Sequence, residues 1–308
     1  WRRQIIEGLL GADVIGFQRV ADAGNFTRAV RRLFAYKTSS TSIEVPKIDD
    51  GEKRQVIAKA FPISIDATAF EELAQRPEVQ ERAAQIRRDL GNPTTIMLGV
   101  DRLDYTKGIR HRMKAFGELL SEQRMSVEEV ALVQVASPSR ERVEAYMQLR
   151  DEIELMVGRI NGDFGTISHQ PIHYLYHGYP REEMAALYLA ADIMLVTALR
   201  DGMNLVAKEY VAARKDEDGV LVLSEFAGAA DELKSALLVN PHDIEGLKDT
   251  IMRAAAMPRA DRRKRMRAMR RRVNENDVAN WSAKFLRVLE ATKGRDAADA
   301  APAQVVAP

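Results

Sequence analysis

Almost purely apolar stretches of strand length alternate with helical patterns from residue 95 to residue 239. No other feature restricts the fold as much. A strand, a helix and a second strand in sequence bring the chain back to the same edge of a sheet. Repeated alternation therefore predicts parallel strands covered by helices, an α/β architecture. The runs are Thr95–Val100, Val130–Ala136, Ile172–Tyr176, Ile193–Thr197, Val220–Ser224 and Ala236–Val239. Their continuous apolar character fits strands buried on both faces. The opening of the chain gives a shorter version of the pattern. Ile5, Leu9 and Leu10 mark a helix ended by Gly11, Val14–Phe17 a strand, and Phe26, Val30 and Leu33 a second helix. Ile43–Val45 and Gln55–Ile63 read as strands, the latter interrupted by Pro62. Ala67–Leu90 reads as helical with charged faces and leads from the first part to the second. A chain of 308 residues is long enough for one or two cores.

In an open parallel sheet, ligands bind beyond the carboxyl ends of the strands. Two such ends carry suggestive residues. Thr95–Val100 runs into a loop holding Arg102 and Lys107, followed by the helix pattern Met113, Phe116, Leu119 and Leu120. Arg can fork onto two phosphate oxygens and Lys can act as a point charge, so the pair suits a pyrophosphate. A loop ion pair between Arg102 and Asp104 is the bland alternative. The second end is Leu195–Tyr210, where an apolar strand meets Asp201 and Gly202 and a helix then opens with Glu209 in its early turns. A helix start presents unpaired N–H groups and partial positive charge, a natural seat for a phosphorylated ligand. One carboxylate could grip a sugar's hydroxyls and the other a ribose. An acidic residue placed only to suit the helix dipole gives the same pattern without any ligand.

Other features carry little. His173 and His177 are four apart, a metal-pair spacing on a helix, but they fall in a strand-like run without an evident third ligand. Asp216-Glu217-Asp218 precedes Gly219 and reads as a solvated turn. His111 sits on a basic helix start and carries no specific signal. Gly158–Gly165 lacks a preceding strand and is no dinucleotide fingerprint. A loop with a turn at Asn161 and Gly162 is expected there. Arg262–Arg272 holds eight basic residues in eleven positions but no interleaved aromatics for base stacking. It reads as a solvated helix face. Trp281, Phe285, Leu286 and Leu289 then form an amphipathic stripe suited to core packing. Residues 292–308, rich in Ala, Asp and Pro, are expected to be disordered.

Composition narrows the class. A net charge of +1 provides no global field for nucleic acid or membrane. The chain has no cysteine, hence no disulfide framework and no thiolate metal site. No apolar run approaches the roughly 20 residues a spanning helix needs. Cytoplasm is the default location. No nucleic-acid or membrane partner is expected, and self-association into a homo-oligomer is left open.

Taken together, several segments resemble the trehalose-6-phosphate synthase family, retaining glycosyltransferases with two Rossmann-like domains facing a cleft. The matching text is Leu9–Gln18, Val100–Gly108, Ser137–Arg140, Gly158–Gly165, Leu199–Tyr210 and Leu223–Ala230. The resemblance runs to about Glu290. It implies a glycosyltransferase-B type α/β fold: residues 1–66 as the remnant of an N-terminal acceptor-side domain, 67–275 as a complete donor-binding Rossmann-like domain, and 276–291 as a helix crossing back to the first. The chain opens at Trp1 inside what the family places late in its first domain. It is therefore expected to be an N-terminally truncated fragment. The upstream glycine loop, most acceptor-phosphate ligands, and an Asp and a His beside the reacting sugars have no counterpart.

The resemblance also implies roles. Arg102 and Lys107 match the pair that holds the donor's diphosphate and neutralises the departing nucleotide without a metal. Asp201 matches the carboxylate bonded to the donor glucose. Gly202, Met203, Asn204 and Leu205 match the turn whose N–H groups approach that sugar and the phosphates. Glu209 matches the ribose ligand, and Val135 and Tyr179 lie where the family's main chain borders the base. Arg140 and Gln18 match contacts to the acceptor. The implied partners are a nucleotide-glucose donor, UDP-glucose by family default, and a sugar-phosphate acceptor, with no cofactor and no metal. The implied reaction moves glucose to glucose 6-phosphate with retention. Retention normally suggests a carboxylate nucleophile, whereas the family is thought to use front-face attack, and no carboxylate pair stands out here. A sister synthase using glycerol 3-phosphate, or a nucleotide-sugar-binding module without turnover, are the alternatives.

Overall fold

A computed structural model of the chain describes residues 1–46 and 53–299. Two compact units emerge: residues 1–63 together with those from Val278 onward, and Ser64–Asp277.

The first unit begins with α1 (Arg2–Leu9), β1 (Val14–Phe17), α2 (Val20–Phe34), β2 (Ser42–Pro46) and β3 (Lys53–Ala60). Strand β3 is central, parallel to β1 and antiparallel to β2, with Val14 opposite Ile57 and Ile43 opposite Val56. Leu10, Ile15, Phe26, Val30, Ile43, Val45, Val56 and Ala58 form its core. The strand expected over Gln55–Ile63 stops at Ala60, ahead of Pro62, which has no N–H to continue a ladder. Ile5 and Leu9 of the expected apolar helix face remain exposed, and Leu10 just beyond the helix is the residue that is buried.

The second unit opens with α3 (Ala67–Ala74) and α4 (Pro77–Asp89). Sequence periodicity suggested one helical stretch. Pro77 divides it, because proline suits the first helical position but cannot sit inside a continuing helix. Then follow β4 (Thr95–Arg102), α5 (Ile109–Ser121), β5 (Val130–Ser137), α6 (Glu144–Phe164), β6 (Ile172–Leu175), α7 (Arg181–Ala190), β7 (Ile193–Val196), α8 (Leu205–Ala213), β8 (Val220–Ser224), β9 (Leu237–Val239), α9 (Ile244–Ala255) and α10 (Arg259–Glu275). The six strands are all parallel, in the order β6-β5-β4-β7-β8-β9. From β4 the chain winds outward through β5 and β6. It then returns beside β4 as β7 and winds the other way, so the strand order reverses between β4 and β7. That is where doubly wound sheets open a crevice for a ligand.

Residues 158–164 are the clearest departure from expectation. They form the last turns of α6 rather than a loop. Ile153, Val157 and Ile160 continue one buried stripe through this segment, which outweighs the two glycines. Asn161 does not make a turn. Its side chain clamps edge strand β6, donating from Nδ2 to the Ile172 carbonyl and accepting the Ile172 N–H at Oδ1, both at 2.9 Å.

The basic helix α10 is less solvated than its composition suggests. Arg262 pairs with Asp218 at 2.7 Å, Arg267 with Glu217 at 2.6 Å and Arg270 with Glu71 at 2.7 Å. The acidic turn at 216–218 is thus an anchor for this helix. Glu217 sits in left-handed backbone at φ 57°.

Helix α11 (Val278–Asp299) belongs to the first unit. Trp281 Nε1 donates to the Phe61 carbonyl at 3.0 Å, and the Phe285 ring meets Phe61 edge-on at 5.0 Å. Leu286, assigned to the packed stripe from sequence, is half exposed. Residues 292–299, expected to be disordered, are helical. Residues 300–308 lie outside the described residues. No described helix is long and apolar enough to cross a membrane.

Candidate functional site

The reversal between β4 and β7 brings together the two segments singled out from sequence. Strand β4 ends at Arg102 and passes through a 3-10 turn, Tyr105–Lys107, into α5. Strand β7 ends at Val196 and leads through Asp201 into α8. The Leu199 N–H donates to the Thr106 carbonyl at 2.7 Å, stitching the two loops. Lys107 Nζ then meets Asp201 Oδ2 at 2.7 Å, with both side chains largely shielded from solvent. Arg102 is exposed and makes no hydrogen bond or ion pair recorded among the described residues.

Backbone shape fixes the Lys107 loop. Gly108 has φ 66°, and a Cβ there would collide with the Thr197 carbonyl oxygen. Asp104 caps the turn, accepting from Thr106 N–H at 2.9 Å and Thr106 Oγ1 at 2.8 Å. Burial pushes the Asp104 carboxyl up, but these bonds and one from Tyr146 together hold it below the usual carboxylate range. Tyr146 donates to Asp104 Oδ2 at 3.2 Å and accepts from Arg140 Nη1 at 2.7 Å. Arg140, in left-handed backbone at φ 50°, is thereby tied to the Lys107 loop.

A buried network supports the crevice from beneath. Arg112 on α5 has no solvent exposure. Its Nη1 donates to Asp101 Oδ2 at 2.8 Å and Gln134 Oε1 at 2.6 Å, and its Nη2 to Thr197 Oγ1 at 3.0 Å. Thr197 Oγ1 donates onward to the Gly108 carbonyl at 3.2 Å. One guanidinium thus locks β4, β5, β7 and the start of α5. Gly99 makes room for it, since a Cβ there would overlap Nη1. Sequence reasoning missed this network, although Arg112 falls on the apolar stripe with Ile109, Met113 and Phe116, where a charge needs a partner.

The Asp201 turn has its own support. Asp201 Oδ2 also accepts from Asn204 Nδ2 at 3.2 Å, and Asn204 caps α8 by accepting the Ala207 N–H at 3.0 Å. Asn204 has φ 92°. The Gly228 N–H donates to the Asp201 carbonyl at 3.0 Å and the Ala229 N–H to the Met203 carbonyl at 2.8 Å. A Cβ at Gly228 would collide with the Gly202 carbonyl, so only glycine lets the two loops approach. Lys208 on α8, fully buried, pairs with Glu232 at 2.8 Å just beyond that second loop. Met203 is buried and Leu205 half-buried at the helix start.

Glu209 lies one turn further along α8. Burial raises its carboxyl above the usual range, against the Tyr188 hydroxyl and the charge of Arg181, which pull it down. The Tyr188 hydroxyl donates to Glu209 Oε2 at 2.8 Å.

Three further expected residues sit in the following surroundings. Val135 is buried within β5 between Val100 and Leu175, and its carbonyl accepts Gln134 Nε2 at 2.9 Å. Its side chain is therefore not at the surface of the crevice. Tyr179 is half-buried before α7, its ring 4.4 Å from His177. Gln18, in the first unit, accepts the Ile63 N–H at Oε1 at 2.9 Å, a contact that braces the backbone there. Among the described residues no group of His, Cys, Asp and Glu has the geometry of a metal site.

Lys107 and Asp201 thus meet where the strand order reverses, the place at which a doubly wound α/β sheet opens its ligand crevice. The chain belongs to glycosyltransferase family 20, whose model matches residues 1–291. It is 52% identical over 299 residues to the trehalose-6-phosphate synthase of Mycobacterium avium (strain 104), covering 96% of this chain and 61% of that protein. It is 53% identical over 296 residues to that of Mycolicibacterium smegmatis, covering 95% and 59%. Among solved structures, it is similar to an α,α-trehalose-phosphate synthase (UDP-forming) from Burkholderia xenovorans in complex with glucose-6-phosphate. The TM-score is 0.87 at 38% identity, covering 94% of this chain and 62% of that one. The E. coli trehalose-6-phosphate protein bound with UDP-2-fluoro glucose gives a TM-score of 0.86 at 36% identity, covering 93% and 62%. The fold is the α/β glycosyltransferase-B type of these structures. The chain spans about three fifths of the length of the relatives it matches.

Proposed function

We propose that this chain carries the donor site of an α,α-trehalose-phosphate synthase, a hexosyltransferase that moves glucose from UDP-glucose to glucose 6-phosphate with retention of configuration. The convergence of Lys107 and Asp201 at 2.7 Å, from loops on adjacent strands at the sheet reversal, is the observation that carries this reading. Arg102 and Lys107 hold the diphosphate and stabilise the charge that develops on the leaving nucleotide. Asp201 binds hydroxyls of the transferred glucose, and the N–H groups from Gly202 to Leu205 border the sugar and phosphates. Glu209 takes the ribose, Tyr179 and the β5 backbone near Val135 border the base, and Arg140 and Gln18 serve the acceptor. Relatives that bind glucose-6-phosphate and UDP-2-fluoro glucose support these substrate classes. The place of action is the cytoplasm.

Calorimetric titration of UDP into the folded chain tests the reading, with Lys107→Ala as control. Saturable binding that the substitution weakens about tenfold or more is expected, the scale of a charge-assisted hydrogen bond. A folded chain that binds neither UDP, ADP nor GDP overturns the assignment.

A further inference from the structure

Glu209 holds out two carboxylate oxygens, and the fold engages one of them. Oε2 accepts the Tyr188 hydroxyl at 2.8 Å, while no hydrogen bond to Oε1 is recorded among the described residues. Tyr188 itself is rigidly seated. It is fully buried, its ring lies 5.9 Å from Phe70, and it meets Tyr210 edge-on at 6.3 Å. Its carbonyl accepts Arg214 Nη1 at 3.3 Å, which fixes the backbone that carries the ring. The terminal torsion of a glutamate is broad and roughly two-fold, so an unrestrained carboxylate samples many planes. A single fixed donor on one oxygen removes that freedom before any ligand arrives.

We propose that Tyr188 is a positioning residue for nucleotide recognition: by holding Oε2 it presents Oε1 of Glu209 to the vicinal diol of a ribonucleotide, and so sets the preference for ribose over a sugar lacking those hydroxyls. The proposal rests on the reading of Glu209 as the ribose ligand. Tyr188 has no exposed surface for a ligand to touch. Its effect passes through Glu209 alone, since its hydroxyl has no other partner recorded among the described residues.

The test compares UDP with 2′,3′-dideoxy-UDP by calorimetry on the whole chain, for the parent sequence and for Tyr188→Phe, Glu209→Gln and the double variant. Tyr188→Phe deletes one oxygen and keeps the ring against Phe70 and Tyr210; a thermal melt verifies that it is folded. The parent is expected to prefer UDP by about tenfold to a hundredfold, the range for hydrogen bonds to a charged acceptor. Tyr188→Phe is expected to lower that preference about threefold to tenfold by weakening UDP alone. Glu209→Gln is expected to abolish most of the preference, and adding Tyr188→Phe to it to change nothing further. Loss of preference in Glu209→Gln with none in Tyr188→Phe overturns the role of Tyr188 and leaves the ribose reading standing. Equal weakening of both nucleotides by Tyr188→Phe shows a purely structural residue and also overturns the proposal. An unchanged preference in Glu209→Gln overturns the ribose reading itself and the proposal with it.

Discussion

Lys107 and Asp201 are 94 positions apart in sequence, and only the winding of the sheet makes them neighbours. Their residue types could be read from the chain, but their ion pair could not, because nothing local to either loop specifies it. Glu209 illustrates the same limit in electrostatic terms. Its place early in a helix was legible, whereas the burial that raises its carboxyl arises from elements distant in sequence that pack on α8. The sign of the consequence follows from linkage. A carboxyl whose native value lies above its unfolded value of 4.5 costs stability as pH rises through that window, since the native state there binds the extra proton. Glu209→Gln is therefore expected to raise the unfolding midpoint in denaturant at neutral pH and to leave it unchanged below about pH 4. UDP affinity has the opposite trend. It should weaken as pH falls through the raised Glu209 value, because the neutral acid is a poorer acceptor, and titrations across pH will show it.

At the scale of elements, apolar runs located the strands to within a few residues because a strand buried on both faces leaves a continuous signature. Helix α6 was misjudged at its end because glycine and asparagine are usual turn formers, and only the facing strand reveals what Asn161 does. Replacing Asn161 with Ala should cost about 1–3 kcal/mol, the range for leaving buried backbone groups of β6 unpaired, measured as a shift in denaturant midpoint. Truncating Arg112 to Ala should cost more, about 3–5 kcal/mol, since Asp101 would remain buried without its cation. That variant should also lose nucleotide affinity in calorimetry, because Gly108 and the Lys107 turn lean on the same network.

Across the whole molecule, the parallel α/β character of the larger unit followed from the alternation of runs, whereas its strand order and the anchoring of the basic helix α10 did not. Its arginines find acids at 71, 217 and 218 that composition alone reads as solvated. Acid sensitivity is likewise a property of many groups at once, and Asp104 gives it a traceable part. Its carboxyl is held below 3.8, so the stability it contributes is complete above that value and disappears as pH falls through the lower native one. Asp104→Asn should flatten the loss of stability as pH falls below 3.8, as followed by guanidinium unfolding at each pH. The contact between Gly99 and Arg112 has a consequence for descent. A methyl group at position 99 and a guanidinium from position 112 cannot occupy one volume, so neither site can drift independently of the other. Gln134 Oε1 presses on the same volume, so alanine at 99 requires both the guanidinium and the amide to give way, and the three positions are tied together in descent.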